Sequence, residues 1–425
     1  MVGEGRGKVN ISRALKIPSS RRNFRLQSPA MLDLVKLFAV LALIVFLLRK
    51  KHRIGIVLLC ASAFLALLYL MPPVRIAASV QAALTSEITI TLTLALTLIR
   101  VLEMVMRENG VLAAMTEASK SLFRHQKLVI ISMPMLIGML PSLGGAYFSA
   151  PMVDEATKKL NMPQEEKGFI NFWFRHPWEY ILPLYPGVLL AAALSGMELQ
   201  TLILINLPYA LAMIAGGFLL SMRKVEGSVD VPPLSRQGLM SFIPIGLIIL
   251  LVMALGVPLH YALLALVAGL FIYYRYGVSK IWAALKYGFA LEVILLVLGV
   301  MMFKELMDGS GAVKNLSAFF LDHGIPVMPL LFVLPFLSGF LTGITVGSVS
   351  STFPLLLSIL HGAPPAAVSF AFAAAYLGVL LSPVHVCLIL TKDYFRADIV
   401  QMYRRLIPGC ALILAVAVIE YLIAG

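Results

Sequence analysis

From Met31 onward, apolar runs of about 18 to 25 residues follow one another with short polar breaks between them. Each run is long enough to cross roughly 30 Å of hydrocarbon as a helix. Composition agrees: 60% of residues are hydrophobic and 13% charged, with a mean hydropathy of +0.93. An average soluble domain carries roughly twice that share of charge. The expected fold class is an all-α polytopic membrane protein.

A net charge of +13 would suggest nucleic acid in a soluble protein. Here Lys and Arg gather in short loops on one side of the membrane, so the charge reads as topology and no nucleic-acid partner is expected. Cys60, Cys387 and Cys410 stand singly in apolar segments without a CxxC pair. They read as buried inert thiols, and neither a disulfide framework nor a zinc site is expected. Residues 1–30 are basic, polar and free of any apolar centre. They read as a disordered basic tail, or as a reading frame extended upstream of a start at Met31.

Ten spans are expected, near 31–48, 54–71, 87–106, 168–196, 200–221, 239–256, 258–275, 287–307, 366–391 and 405–424. The stretches 128–157 and 326–360 are apolar but rich in Gly, Pro and Ser. Basic loops at 49–53, 120–127, 158–167, 223–236, 275–286 and 392–405 fall on one side only if each of these stretches enters and leaves by the same face. Two opposed re-entrant hairpins follow. The chain then divides into the tail (1–30), an N-terminal transmembrane hairpin (31–86), a first repeat (87–221, hairpin about 128–157), a linker and transmembrane pair (222–286), and a second repeat (287–425, hairpin about 326–360).

The repeat rests on order. "PSLGG" (141–145) has a counterpart in "PFLSG" (335–339). Before each come a span, a Gly-bearing break ("MRENG", "MDGSG") and a short amphipathic stretch. After each come a span broken by proline ("YILPLYPG", "YLGVLLSPVHV") and one further apolar span. The loop charges orient the two copies oppositely, which is the inverted-repeat pattern of secondary transporters.

Backbone at a hairpin tip within the membrane needs protein, water or an ion as partner. Ser142, Gly144 and Gly145 mark the first tip. Ser338, Gly339, Thr342, Thr345, Ser348, Ser350, Ser351 and Thr352 mark the second. Their hydroxyls suit a sodium ion or a carboxylate, while in a packing role they would only let helices approach closely. In "FWFRHPWEYILPLYPG", three prolines cannot all sit in a regular helix, so the segment should unwind and present His176 and Glu179 beside Pro183 and Tyr185. Aligning Pro183 with Pro383 sets Tyr185 opposite His385 in the partner segment. The histidines read as proton carriers or as packed hydrogen-bonding residues, without the pairing that a metal or haem centre needs. Arg175 is expected at the cytoplasmic interface, Glu292 at an interface, and Asp154 and Glu155 at the cytoplasmic mouth; Arg100 and Glu103 read as a pair. No P-loop, HExxH or GxSxG pattern occurs, so no cofactor, metal or enzymatic activity is expected.

This architecture resembles the ion transporter superfamily. More narrowly, "MLPSLGGAYFSAPMVDEA" and "FRHPWEYILPLYPG" resemble an uncharacterised prokaryotic integral-membrane family within it, number four hundred and one among domains of unknown function. The resemblance covers about residues 31–425 and implies a prokaryotic inner-membrane homodimer with a scaffold domain and a mobile transport domain working by elevator-like alternating access. It departs from the dicarboxylate symporters, whose Ser-Asn-Thr tip signature is missing: the first tip reads Pro141-Ser142-Leu143-Gly144-Gly145. The expected function is secondary transport of a small organic anion coupled to Na⁺ or H⁺. The alternatives are a cation/proton antiporter with Glu179 as carrier, and a membrane enzyme acting on lipid at "PMVDEATKK".

Overall fold

The computed structural model describes residues 29–123, 125–139, 141, 145–222, 225, 236–311, 326–360 and 364–424. Ser142, Gly144, the tail as far as residue 28 and the amphipathic stretch in 312–325 lie outside the described residues. Helices α1 to α5 cover Pro29–Arg49, Ile54–Leu68, Pro73–Thr85, Glu87–Glu108 and Val111–Leu122. Then come α6 (Gln126–Gly138), α7 (Gly145–Thr157), α8 (Gln164–Trp173), the single turn α9 (Trp178–Ile181), α10 (Pro186–Ser195) and α11 (Leu199–Ser221). The middle of the chain forms α12 (Arg236–Met240), α13 (Ile243–Ile249), α14 (Leu259–Tyr273), α15 (Val278–Gly288) and α16 (Leu291–Ser310). The last five are α17 (Val327–Thr342), α18 (Thr345–Leu360), α19 (Pro365–Leu380), α20 (Val386–Phe395) and α21 (Ile399–Ala424).

The protein is all-α, and it is a membrane protein. Glu87–Glu108, Leu199–Ser221, Ile399–Ala424 and the broken Gln164–Ser195 stretch are long and apolar enough to cross a membrane. Side chains such as Leu70 and Val278, each 84% exposed, would be costly in water and are at home against lipid. Proline, glycine and caps set the local boundaries. Ser86 caps α4 by accepting the Thr89 amide at 3.1 Å, and Gly110 turns into α5 with φ +67°. The span expected over 287–307 is the single helix α16, shifted to Leu291–Ser310, because α15 runs to Gly288 and Ala290 starts the new helix as N-cap. Helix α3 was not foreseen as an element: "PVRIAASVQAALT" is amphipathic and starts on Pro73.

Two groups of helices form. In the first, α16 packs along α2 and α3, while α4 packs against α14 and α15. Apolar surface gains nothing by leaving lipid for protein, so close backbone approach has to hold such helices together. Gly55 and Gly299 supply it: a Cβ on Gly55 would overlap the Leu295 carbonyl, and one on Gly299 would lie 2.5 Å from Gly55 O. The second group is built from α6 to α11 and α17 to α21. Its centre is α19, buried at every position from Ala366 to Leu380. Glycines again allow it: Cβ atoms on Gly339 and Gly378 would overlap the carbonyls of Ala375 and Phe336. Helix α1 touches α17 and α18, α4 touches α10, and α16 touches α18, which join the groups.

Candidate functional site

Both expected breaks form, by the same device. After α9, Pro183 and Leu184 make a turn, Tyr185 serves as N-cap, and α10 begins at Pro186. After α19, Pro383 and Val384 make a turn, His385 serves as N-cap, and α20 begins at Val386. Both following helices end on a left-handed residue, Gly196 at φ +68° and Arg396 at φ +51°. The next helices start at Leu199 and Ile399, and carry internal prolines at Pro208 and Pro408.

The two Gly/Pro-rich stretches are helix pairs, α6 with α7 and α17 with α18. Each incoming helix ends on a carbonyl that a residue of a broken segment takes up. Tyr185 OH donates to Gly138 O. His385 Nδ1 donates to Gly343 O at 2.8 Å. Gly343 is left-handed at φ +67°, and a Cβ there would press on the His385 backbone, so glycine is required at this tip. Trp178 Nε1 donates to Met135 O at 2.7 Å, and Ser382 Oγ to Phe340 O at 2.7 Å, so each pair is fixed a second time from its own broken segment.

The outgoing helices cross over. Helix α7 packs against α20, and α18 packs against α10. Asn171 on α8 fastens the first crossing, its Nδ2 donating to Ala146 O and Thr391 Oγ1, both at 3.0 Å. Thr345, first residue of α18, fastens the second by donating to Glu179 Oε2 at 3.0 Å.

Between the crossings the broken segments meet. His176 Nε2 lies 3.2 Å from His385 Nε2 and 3.9 Å from Glu179 Oε1. The Phe172 ring packs on both imidazoles, with centroids at 4.5 and 5.5 Å. Tyr376 OH donates to His176 O at 3.0 Å, and its ring meets that of Tyr180 edge-on. His176 Nδ1 donates to Phe172 O. The His176, His385 and Cys387 side chains are buried, and their ligand-capable atoms lie within 4.8 Å of one another.

Several expectations are corrected here. His176 and His385 are paired, although no sequence spacing indicated it. Cys387 stands beside them, and Cys60 is exposed; only Cys410 fits the reading of a thiol isolated in the core. Arg175 is buried at 4% exposure, with its guanidinium where a Cβ on Gly145 would sit. Arg100 does not pair with Glu103: its Nε donates to Tyr287 O at 3.4 Å, and Glu103 pairs with Arg107 at 3.1 Å. Asp154 holds Lys167 at 2.8 Å, an ion pair joining α7 to α8, while Glu155 and Lys158 form an exposed pair. Glu292 does sit at a surface, with Arg53 at 3.1 Å.

Most hydroxyls of the second pair turn inward. Thr342, Ser350 and Thr352 donate to carbonyls four residues back, of Ser338, Val346 and Ser348, while Ser351 donates to Ser348 O three residues back. Ser338 and Ser351 meet at 2.9 Å, and Ser348 donates to Pro335 O at 2.8 Å, which clamps the two arms together. Thr345 alone of this set bonds to a charged side chain outside the pair, among the described residues. Gly339 is a packing residue under α19, and Gly343 takes the tip. A separate groove of about 640 Å³ is lined by apolar groups including Leu59, Met71 and Met302, and offers no ionisable handle.

These features define an all-helical membrane protein with a buried polar centre where two interrupted segments cross. The chain belongs to the family described as protein of unknown function (DUF401), whose model matches residues 30–424. No curated protein matches the chain.

Proposed function

We propose that this protein is a secondary active transporter of a small organic anion, coupled to Na⁺ or H⁺, rather than an enzyme. The observation that carries the reading is the crossing of two broken segments, each holding one helix-pair tip and each reached by the other pair's outgoing helix. Paired interrupted segments of this kind are where secondary transporters hold their substrates. The matching bounds of α10 with α20 and α11 with α21 support an inverted repeat, in which α6–α7 and α17–α18 are opposed re-entrant hairpins. In this reading about ten helices cross the prokaryotic inner membrane. The α2–α4 and α14–α16 group is the scaffold of a dimer, and the crossed group is the elevator.

Helices α7, α10, α18 and α20 all begin at the breaks. Helix N-termini favour anions, and Arg175 adds a positive charge beside Gly145. That supports an organic anion over the alternative of a cation/proton antiporter, for which Glu179 would be the carrier. For the lipid-enzyme alternative, the Asp154 of "PMVDEATKK" is engaged by Lys167 and its Glu155 is paired with Lys158 at the surface. The test is uptake into proteoliposomes of anions first selected by thermal shift with Na⁺ and pH varied. Uptake that follows an imposed Na⁺ or H⁺ gradient is expected. Downhill cation exchange without anion uptake would replace the reading with the antiporter.

A further inference from the structure

We propose that His176, His385 and Cys387 form a buried site for a metal ion of the Zn²⁺ class, linking the two broken segments. The argument starts from hydrogen atoms. His176 Nδ1 faces Phe172 O and His385 Nδ1 faces Gly343 O. A carbonyl can only accept, so each ring carries its proton on Nδ1. Each neutral ring then presents its lone pair at Nε2, and these two atoms face each other at 3.2 Å, with the Cys387 thiol hydrogen-bonded to His176. Two acceptors at that separation repel unless a positive charge lies between them.

Geometry and chemistry favour a metal there. Zinc–nitrogen bonds of about 2.0–2.1 Å set tetrahedral nitrogens roughly 3.3 Å apart. The observed 3.2 Å is that edge. Cys387 brings a third ligand atom: one from each of the three residues lies within 4.8 Å of the others, a gap that closes by about 1 Å as the side chains draw onto an ion. Glu179 lies outside this set of three and adds a carboxylate beside it, with Oε1 at 3.9 Å from His176 Nε2. Metal-bound histidines characteristically donate their other N–H to a carbonyl or carboxylate, which fixes the ring, and both rings here do so. Nitrogen and sulfur donors select borderline ions and reject Mg²⁺ or Ca²⁺, which require oxygen.

The charges balance. Binding displaces the Cys387 thiol proton to solvent, and the thiolate with Glu179 offsets a divalent ion. Arg175, the nearby cation, lies on the Gly145 side. An ion held this way would tie the break between α8 and α9 to the start of α20, at residues that the chain order separates widely.

The test uses the full chain in detergent, stripped with a chelator and reloaded with Zn²⁺ or with Co²⁺ as a spectroscopic substitute. One Zn²⁺ per chain and a cobalt–thiolate absorption band are expected. Cys387→Ser should abolish the band, and both it and His385→Gln should weaken Zn²⁺ binding by about tenfold or more while eluting as the parent protein does. Folded parent protein that binds no Zn²⁺, or variants that bind it equally well, would overturn the site and leave a shared proton between the rings. Metal counting needs no transport assay, so it fails or succeeds apart from the transporter reading.

Discussion

Tyr185 and His385 perform one task in two places. Each caps the half-helix that follows a Pro-X turn, and each donates its side-chain proton to the last carbonyl of an incoming helix, at Gly138 or at Gly343. One is a phenol and the other an imidazole, so the common requirement is a donor of that reach. Tyr185→Phe keeps the ring and removes the donor, leaving a buried carbonyl unbonded at a cost of about 1–3 kcal/mol. A lower melting temperature and faster amide exchange over residues 136–139 are expected. Unchanged exchange there would mean that Tyr185 does not hold the tip.

Close backbone contact gives a second prediction. Gly339→Ala or Gly378→Ala would drive α17 and α19 apart, because each new methyl meets a carbonyl that cannot yield. Overpacking of this kind costs about 1–3 kcal/mol or more. The melting temperature should fall in both variants, whereas Gly246→Ala, with nothing within 4 Å of its Cβ, should behave as the parent.

Thr345 links the second helix pair to Glu179. Thr345→Val retains the shape and loses the donor, while Thr345→Ser keeps it. Gradient-driven uptake should drop at least tenfold in the first and survive in the second. Equal loss in both would point to shape as the requirement.

The two ion pairs of the first outgoing helix should differ sharply. Lys167 has a side-chain exposure of 9%, and Asp154→Asn leaves its ammonium without that partner. Glu155 and Lys158 are 75% and 73% exposed, and such pairs contribute about 0–1 kcal/mol. Asp154→Asn should lower the melting temperature, and Glu155→Gln should leave it within error.

A bulky residue at Gly145 should abolish uptake without preventing membrane insertion. Its side chain would displace the Arg175 guanidinium, the flexible end of a long side chain, rather than a backbone atom. Normal uptake by Gly145→Trp would remove this tip from the site.

Much of this organisation could be read from the residues in order. Proline lacks an amide hydrogen, so Pro183, Pro186 and Pro383 announce the breaks wherever they stand in an apolar run. His176, Glu179 and His385 stood out because ionisable groups are expensive in hydrocarbon. Their meeting was hidden, since no local period relates residue 176 to residue 385. Cys387 looked like any core thiol for the same reason. Thr345 could not be told from its neighbours: serine and threonine in helices bond their own backbone by default, and only the rotation of α18 shows that this one reaches Glu179. Arg100 and Glu103 had a spacing that permits pairing, but Tyr287 from α15 offers the arginine both a carbonyl and a ring face at 4.7 Å.

The crossing of α7 onto α20 also has a cost in time. Helix α7 ends at Thr157, and its partner begins only at Val386. A ribosome adding about 5–20 residues per second reaches that partner roughly 10–50 s later. For that interval the Asn171 side chain has neither Thr391 nor a closed neighbour, and the first half must wait in the bilayer half-assembled. The polar centre is therefore completed near the end of synthesis, and a chain cut short after α11 would leave its interrupted segment for quality control to find.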